Sequence, residues 1–558
     1  MLILAGAGSG KTRALTYRVA NLIDHGVAPW SILALTFTNK AAKEMRDRIA
    51  GLVGEEAESA WISTFHSTCA RILRRDIDKI GYTSSFVIYD DDDQSTVIKD
   101  VLKRLNIDDK FLPAREVKSK ISDAKNKLMT ADDWFLRSER DRRCQMIHDA
   151  FVLYEERLKA QNALDFDDLL LKTLELFAGH PPVLDSYRNR FKYVMVDEYQ
   201  DTNTAQYEMV RLLTAQSRNL CVVGDDDQSI YGWRGADIRN ILDFEKDYPD
   251  AIVIKLEQNY RSTANILDAA NQIIAHNAGR KEKALWTEED AGELISVYEA
   301  MDEREESAFI VDEMQRLKRE QQDYSQMAVL YRTNSQSRVV EERLMSVGVP
   351  YRVFGGMKFY DRKEVKDIVA YLKVLSNPAD DVSLTRIINV PKRAIGDATV
   401  ATLVEHARQH DMPLFSALND LPVDLGARAK NAISKFASLM TMLLVYKETL
   451  PLAELVKQVI ETTGLQIQYQ QEDTDEAKTR VENIQEFLGA VTEFQEKNPE
   501  ATLESFLENV ALVTELDNAE ENHGYVTLMT LHSAKGLEFP VVFMIGMEEN
   551  IFPSGRSA

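Results

Sequence analysis

The sequence predicts an α/β protein built from strand-rich nucleotide-binding cores, each split by a mainly helical insertion. Three observations predict it. The chain opens on an apolar run, Leu2-Ile3-Leu4, that passes through a glycine-rich turn into a stretch with Leu15, Val19, Leu22 and Ile23 at helical spacing. Later apolar runs end in polar or acidic residues, as in Tyr193-Val194-Met195-Val196 before Asp197-Glu198. Between strand signals lie two long, charge-rich helical stretches, at about 85–165 and 358–520.

The first strand–helix turn is Ala5-Gly6-Ala7-Gly8-Ser9-Gly10. Residues without bulky side chains let successive backbone N–H groups curl around an anion. The helix mouth adds free N–H groups and partial positive charge. Lys11 can then reach terminal phosphates, and the Thr12 hydroxyl can ligate Mg²⁺. The pattern is G-x-x-x-x-G-K-[ST] with Ala5 at the first glycine; a ligand-free turn is the alternative, and it leaves Lys11-Thr12 without a role.

The strand ending in Asp197-Glu198 places two carboxylates at the C-terminal edge of a sheet, where open α/β sheets bind ligands. Asp197 is expected to hold Mg²⁺, and Glu198 to position or deprotonate an attacking water. The alternative is an ordinary acidic turn. The distance along the chain from Lys11 to Asp197 calls for an inserted helical domain. The run Asp90 to Asp93 at its entrance reads as a solvated boundary and helix cap. Further strands are expected in LCVVG, IVIKLEQNYRS, MAVLYRTNSQSR and, after the second helical stretch, YVTLMTLHSAKGLEFPVVFMIGM. One α/β unit is thus split around each helical region.

With 558 residues the chain has room for about four domains. A formal charge of −23 means that any nucleic-acid contact must be made by local basic and aromatic patches. Three scattered cysteines exclude a cysteine zinc cluster and fit a reducing, cytoplasmic setting. No secretory leader is expected, and no apolar run nears the ~20 residues of a membrane span. His406 and His410, with Ala407 between them where a zinc protease carries Glu, read as surface residues.

Nine segments, in order, resemble the UvrD/PcrA/Rep-like superfamily 1 DNA helicases: AGAGSGKT (5–12), TFTNKAAKEMRDR (36–48), STFHS (63–67), LDFDDLL (164–170), VDEYQDTN (196–203), VGDDDQSIYGWRGAD (223–237), QNYRS (258–262), YRTNSQSR (331–338) and TLMTLHSAKGLEFPVVF (527–543). The resemblance implies two RecA-like P-loop NTPase cores with parallel sheets. The first spans 1–84 and 166–256, with 85–165 inserted; the second spans 257–357 and 521–558, with the helical accessory domain 358–520 inserted. It implies ATP-dependent 3′→5′ translocation on single-stranded DNA, contact with single/double-strand junctions, and repair or replication partners.

Carried over by match, Gly6, Ala7, Gly8, Ser9 and Gly10 cradle phosphates, Lys11 and Thr12 hold phosphates and Mg²⁺, and Arg13 lies near the base. Asp197 and Glu198 are metal carboxylate and base. Gln228 and Arg261 reach the γ-phosphate, Tyr260 stacks on adenine and Glu538 meets the ribose. A motor that walks along any sequence needs grips that ignore base edges, and aromatic faces supply them at roughly 1–3 kcal/mol per base. Phe37, Phe166, Tyr231 and Trp233 sit in polar loops suited to this, and the resemblance adds His66, Arg234, Arg332, Asn334 and His532. The resemblance implies a Gly-Ile-Gly duplex-contact turn at Pro391 to Gly396, where Ala394 replaces the first glycine; the alternative is an ordinary helix–turn–helix of the accessory domain.

The same resemblance leads to the expectation of a chain cut at both ends, with an incomplete second core, apolar sheet edges and weakened ATP turnover. Two other readings stay open: a single-strand-binding module that does not hydrolyse ATP, and a subunit of a helicase–nuclease.

Overall fold

The computed structural model describes residues 1–277, 279–355, 359–472, 474–512 and 524–553. The expected domain boundaries near 357 and 520 lie outside the described residues. The chain divides into two compact units. One comprises Met1–Leu256, Arg280–Lys283 and Tyr360–Leu512; the other comprises the described residues of Glu257–Gly279, Ala284–Phe359 and Val513–Ala558.

In chain order the first unit's strands are β1 (Leu2–Ala5), β2 (Ile32–Thr36), β3 (Trp61–Thr64), β4 (Val87–Ile88), β5 (Ala163–Leu164), β6 (Tyr193–Val196), β7 (Leu220–Gly224) and β8 (Val253–Leu256). β4 and β5 pair with each other. The rest form a six-stranded sheet ordered β3-β2-β6-β7-β1-β8, with every pairing parallel. A parallel sheet is covered on both faces, so its strands are near-continuous apolar runs. Alternation then divides each strand between two cores. Leu2, Leu4, Leu33, Leu35, Val194 and Val196 face helices that include Phe65–Asp76 and Phe166–Gly179. Ile3, Ala5, Ile32, Ala34 and Met195 face Lys11–Asp24 and Asn39–Val53. The Ala5 methyl is fully buried in that second core, so this departure from glycine sits in the strand and not in the phosphate turn.

Between β4 and β5 the helices Asp91–Arg104, Ala114–Asn126 and Arg142–Ala160 enclose their own core of Val97, Val101, Val117, Ile121, Phe151 and Tyr154. Asp90 caps the first of these helices by accepting from the Asp92 and Asp93 N–H groups, with a reciprocal capping box. The expectation of a solvated acidic run is corrected at Asp93. That side chain is buried, with Oδ2 2.6 Å from Lys373 Nζ, while Lys366 Nζ lies 3.0 Å from Asp90. The acids therefore fasten the inserted helices to Lys363–Ser376, a helix of the accessory stretch buried over most of its length. At the expected duplex-contact turn Ala394 has φ 59°, the left-handed region where a Cβ is strained, and the Asn389 side chain accepts from the Arg393 and Ile395 N–H groups.

The second unit carries β9 (Met327–Tyr331), β10 (Tyr351–Val353), β11 (Val526–Thr530) and β12 (Val541–Met544), all parallel, in the order β10-β11-β9-β12. Its core joins Met327, Val329, Tyr331 and Leu528 to helices Glu303–Arg319 and Ser337–Ser346. β12 is an edge strand and turns Val542 and Met544 outward, nearly half exposed. Among the described residues no helix is long and apolar enough to cross a membrane.

Candidate functional site

Because the six-stranded sheet is all parallel, the loops after β1, β2, β3, β6 and β7 leave from one edge. That is how residues far apart in sequence meet. Gly10, with φ 85°, caps Lys11–Asp24 without a side-chain hydrogen bond, which presents the helix mouth to a ligand. Ser9 folds back, its hydroxyl donating to the Gly6 carbonyl at 2.8 Å.

Lys11 Nζ donates to Gln228 Oε1 at 3.0 Å and lies 3.5 Å from Glu198 Oε1. Thr12 Oγ1 donates to Asp197 Oδ2 at 3.2 Å. The Glu198 N–H donates back to Asp197 Oδ1 at 3.0 Å. Glu198 itself has φ 50°, a strained backbone for a side chain with a Cβ, of the kind that gathers at functional sites. Burial, then the neighbouring Glu198 charge, pushes the Asp197 carboxyl up to about 6. A buried acid whose charge is so poorly compensated, beside a hydroxyl oxygen, is a donor set that fits a hard divalent cation such as Mg²⁺. Lys11, Thr12, Asp197, Glu198 and Gln228 are thus brought together; Gly6, Ala7 and Gly8 line the same turn, and Arg13 stacks its guanidinium 5.5 Å from the Tyr17 ring.

In the second unit Arg261 Nε donates to Glu538 Oε2 at 2.7 Å. The buried Asn259 side chain shapes the turn before them by accepting from the Arg261 and Ser262 N–H groups. Tyr260 is 66 % exposed, its ring free of the core and its hydroxyl donating to Gln258 at 2.9 Å. Arg332 and His532 meet at 3.4 Å, and Asn334 donates to the Gly355 carbonyl at 2.8 Å.

The aromatic candidates of the first unit fall into two groups. Phe37 packs 5.7 Å from the Phe65 ring just after β2 and β3, and Phe166, expected in a polar loop, is instead the first residue of the helix after β5 and meets His66 edge-on at 5.9 Å. Burial lowers His66 to about 4, so it sits there as a neutral ring. Trp233 is 64 % exposed, and Arg234 lies over both Trp233, at 4.7 Å, and Tyr231, at 5.6 Å.

Sequence reasoning passed over three residues that organise this site. Gln200 donates to Glu198 Oε2 at 2.5 Å and accepts from the Asp225 N–H at 2.9 Å. Asp225 in turn accepts from Gln228 Nε2 at 2.6 Å. Lys125, fully buried, ties Asp165, Asp168 and Glu155 together at 2.6–2.8 Å directly beside Phe166. Gln200 and Asp225 both sit inside quoted motifs, and their place just after apolar strands was the available signal; Lys125 lies in an unremarkable basic helix and gave none.

Family models match nearly the whole chain. Residues 1–249 match the UvrD/REP helicase N-terminal domain, and 254–558 match the UvrD-like helicase C-terminal domain. Among curated proteins the chain is similar to the ATP-dependent DNA helicase PcrA of Staphylococcus epidermidis and to that of Staphylococcus aureus. Each is 50 % identical over 561 residues, an alignment that takes in 100 % of this chain and 77 % of the relative. These matches lend no support to the truncation expected from the sequence.

Proposed function

The chain belongs to the UvrD/REP helicase family, and from that premise we propose that it is an ATP-dependent DNA helicase that moves 3′→5′ along single-stranded DNA. The observation that carries the reading is the meeting of Lys11, Thr12, Asp197, Glu198 and Gln228 on one sheet edge, from which the segment after β7 presents Trp233. The backbone of residues 6–10 cradles the phosphates of ATP, and Lys11 neutralises the terminal ones. Thr12 and Asp197 hold Mg²⁺, which when bound supplies charge compensation to the phosphates. Glu198, steadied by Gln200, orients the attacking water and accepts its proton. Gln228, bonded to Lys11, senses the γ-phosphate end of the site.

Arg261, Tyr260 and Glu538 of the second unit are assigned to the same nucleotide on the strength of the family resemblance. In this reading ATP favours closure of the two cores and hydrolysis releases it. Aromatic grips on each core then hold and release the strand in turn.

The test is phosphate release with and without single-stranded DNA, together with unwinding of duplexes carrying a 3′ or a 5′ tail. Native protein should hydrolyse ATP faster with DNA and open the 3′-tailed duplex. Lys11→Ala should lose turnover and keep single-strand binding. Normal turnover by Lys11→Ala would overturn the site, and preference for the 5′ tail would overturn the polarity.

A further inference from the structure

The motif Asp225-Asp226-Asp227-Gln228 brings three carboxylates together, which by itself resembles an empty cation site. It is already filled by side chains. Lys283 Nζ lies 2.8 Å from Asp225 Oδ1, 2.5 Å from Asp226 Oδ1 and 2.6 Å from Asp227 Oδ2, with only 2 % of its side chain exposed. Arg280 grips Asp227 with two hydrogen bonds, at 3.0 and 2.7 Å, and the Lys281 N–H donates to Asp226 at 2.8 Å. Residues Arg280–Lys283 thus form a short strap that belongs to the first unit, although the chain on either side of it belongs to the second.

What the ammonium does follows from the next bonds along. Asp225 shares its two oxygens: Oδ1 faces Lys283 and Oδ2 accepts from Gln228 Nε2 at 2.6 Å. That bond fixes which end of the Gln228 amide points onward, so Oε1 is the atom left to accept from Lys11 Nζ at 3.0 Å. The Asp225 N–H is held by Gln200, whose other end holds Glu198. We propose that Lys283 is a positioning residue for ATP turnover: by pinning the buried Asp225 carboxylate it sets the orientation of Gln228 and, through it, the reach of Lys11. Without the ammonium, Arg280 on Asp227 is the cation left facing the three carboxylates, and Asp225, with none of its own, turns away from its neighbours. The amide of Gln228 then has no fixed sense. The inference rests on the reading of Lys11 and Gln228 as parts of an ATP site.

The experiment compares native protein, Lys283→Met, Gln228→Ala and the double variant. Each is measured for DNA-stimulated ATP turnover, for affinity toward a fluorescent ATP analogue, and for its melting temperature. Lys283→Met should lower kcat by between about tenfold and a hundredfold while nucleotide affinity stays within about twofold. In the Gln228→Ala background the same change should cost nothing further, because the residue it positions is gone. A merely structural lysine would lower kcat by the same factor in both backgrounds, and that result overturns the proposal. So does native-like turnover by Lys283→Met. If native protein shows no DNA-stimulated turnover, or Gln228→Ala leaves it unchanged, the reading of the site itself falls and this inference falls with it. Should Lys283→Met lack a melting transition, Lys283→Met combined with Asp226→Asn, which removes one of the three facing charges, takes its place under the same criteria.

Discussion

Gly224, the last residue of β7, offers a sharp test of how the nucleotide edge is built. A Cβ added there would overlap Gln200 Oε1, sit 2.7 Å from Ile241 Cδ1, and come 3.3 Å from the Tyr199 N–H. Ile241 is buried and Gln200 is fully buried, so neither can move into solvent. Gln200 is also the bridge between Glu198 and the Asp225 N–H, at 2.5 and 2.9 Å. Gly224→Ala should therefore act twice. Overpacking costs about 1–3 kcal/mol, and releasing the buried Asp225 N–H from its acceptor costs about 1–3 kcal/mol more, for a loss of roughly 2–6 kcal/mol of stability. Freed from Gln200, Glu198 loses its steady position and kcat should fall by about tenfold to a hundredfold. Urea denaturation followed by circular dichroism reads the first effect, and DNA-stimulated phosphate release reads the second. The Gln200→Ala background separates them. There the Asp225 N–H is already released and Ile241 is the main obstacle left, so Gly224→Ala should cost no more than the overpacking share, about 1–3 kcal/mol, and should not slow turnover further. Native stability in Gly224→Ala, or the same loss in both backgrounds, would refute the steric account.

The raised Asp197 carboxyl predicts a pH dependence of binding. Folding holds this group up to about 6, so its charged form is disfavoured in the native protein and proton uptake below that pH stabilises the fold. Affinity for the Mg²⁺–nucleotide should be level above about pH 6 and should fall about tenfold per unit below it, as the proton competes with the metal; titration of a fluorescent ATP analogue at several pH values checks this, and affinity that stays flat down to the ordinary aspartate range would contradict it. Lys125→Met should destabilise by about 3–5 kcal/mol, because Asp165, Asp168 and Glu155 are left without their shared cation. It should also weaken single-strand binding through the displaced Phe166, read by the urea midpoint and by fluorescence anisotropy with labelled DNA.

The features that were legible in the sequence are local ones. A strand buried on both faces must be written as an unbroken apolar run, and a phosphate turn must be written in small residues, so β1 and residues 6–12 declare themselves within a dozen positions. β6 with Asp197-Glu198 does the same, and parallel pairing then carries both loops to a common edge without any further instruction in the sequence. The misplaced and the missed acids share one cause. Asp93 belongs to an acidic run of the kind that is usually solvated, yet its partner Lys373 stands 280 residues away. Asp225 is one of three adjacent acids that nothing nearby in the sequence singles out, yet its oxygens are divided between Gln228 and Lys283, the second 58 residues along the chain from it. A charge shows its type in the sequence but not its counter-ion, and burial of a charge is decided by the counter-ion.

That asymmetry also explains where the organising polar groups of this site lie. A chain of net charge −23 must neutralise each acid it buries, or spread it through hydrogen bonds, one site at a time. Among the described residues Lys125, Lys283 and Lys373 do so: Lys125 beside Phe166 and Lys283 behind Gln228 stand next to groups the site uses, while Lys373 stands at the joint of the inserted helices. Replacing any one of them leaves acids without a counter-charge inside the first unit. The damage should therefore spread along the carboxylates each one holds, reaching turnover through Lys283 and strand binding through Lys125, while Lys373 governs only how firmly the inserted helices are fastened. Lys373→Met should accordingly loosen hydrogen-exchange protection in Asp91–Arg104 and leave phosphate release by the sheet edge intact; turnover falling with Lys373→Met as far as with Lys283→Met would show that the three lysines act as one network and not as three.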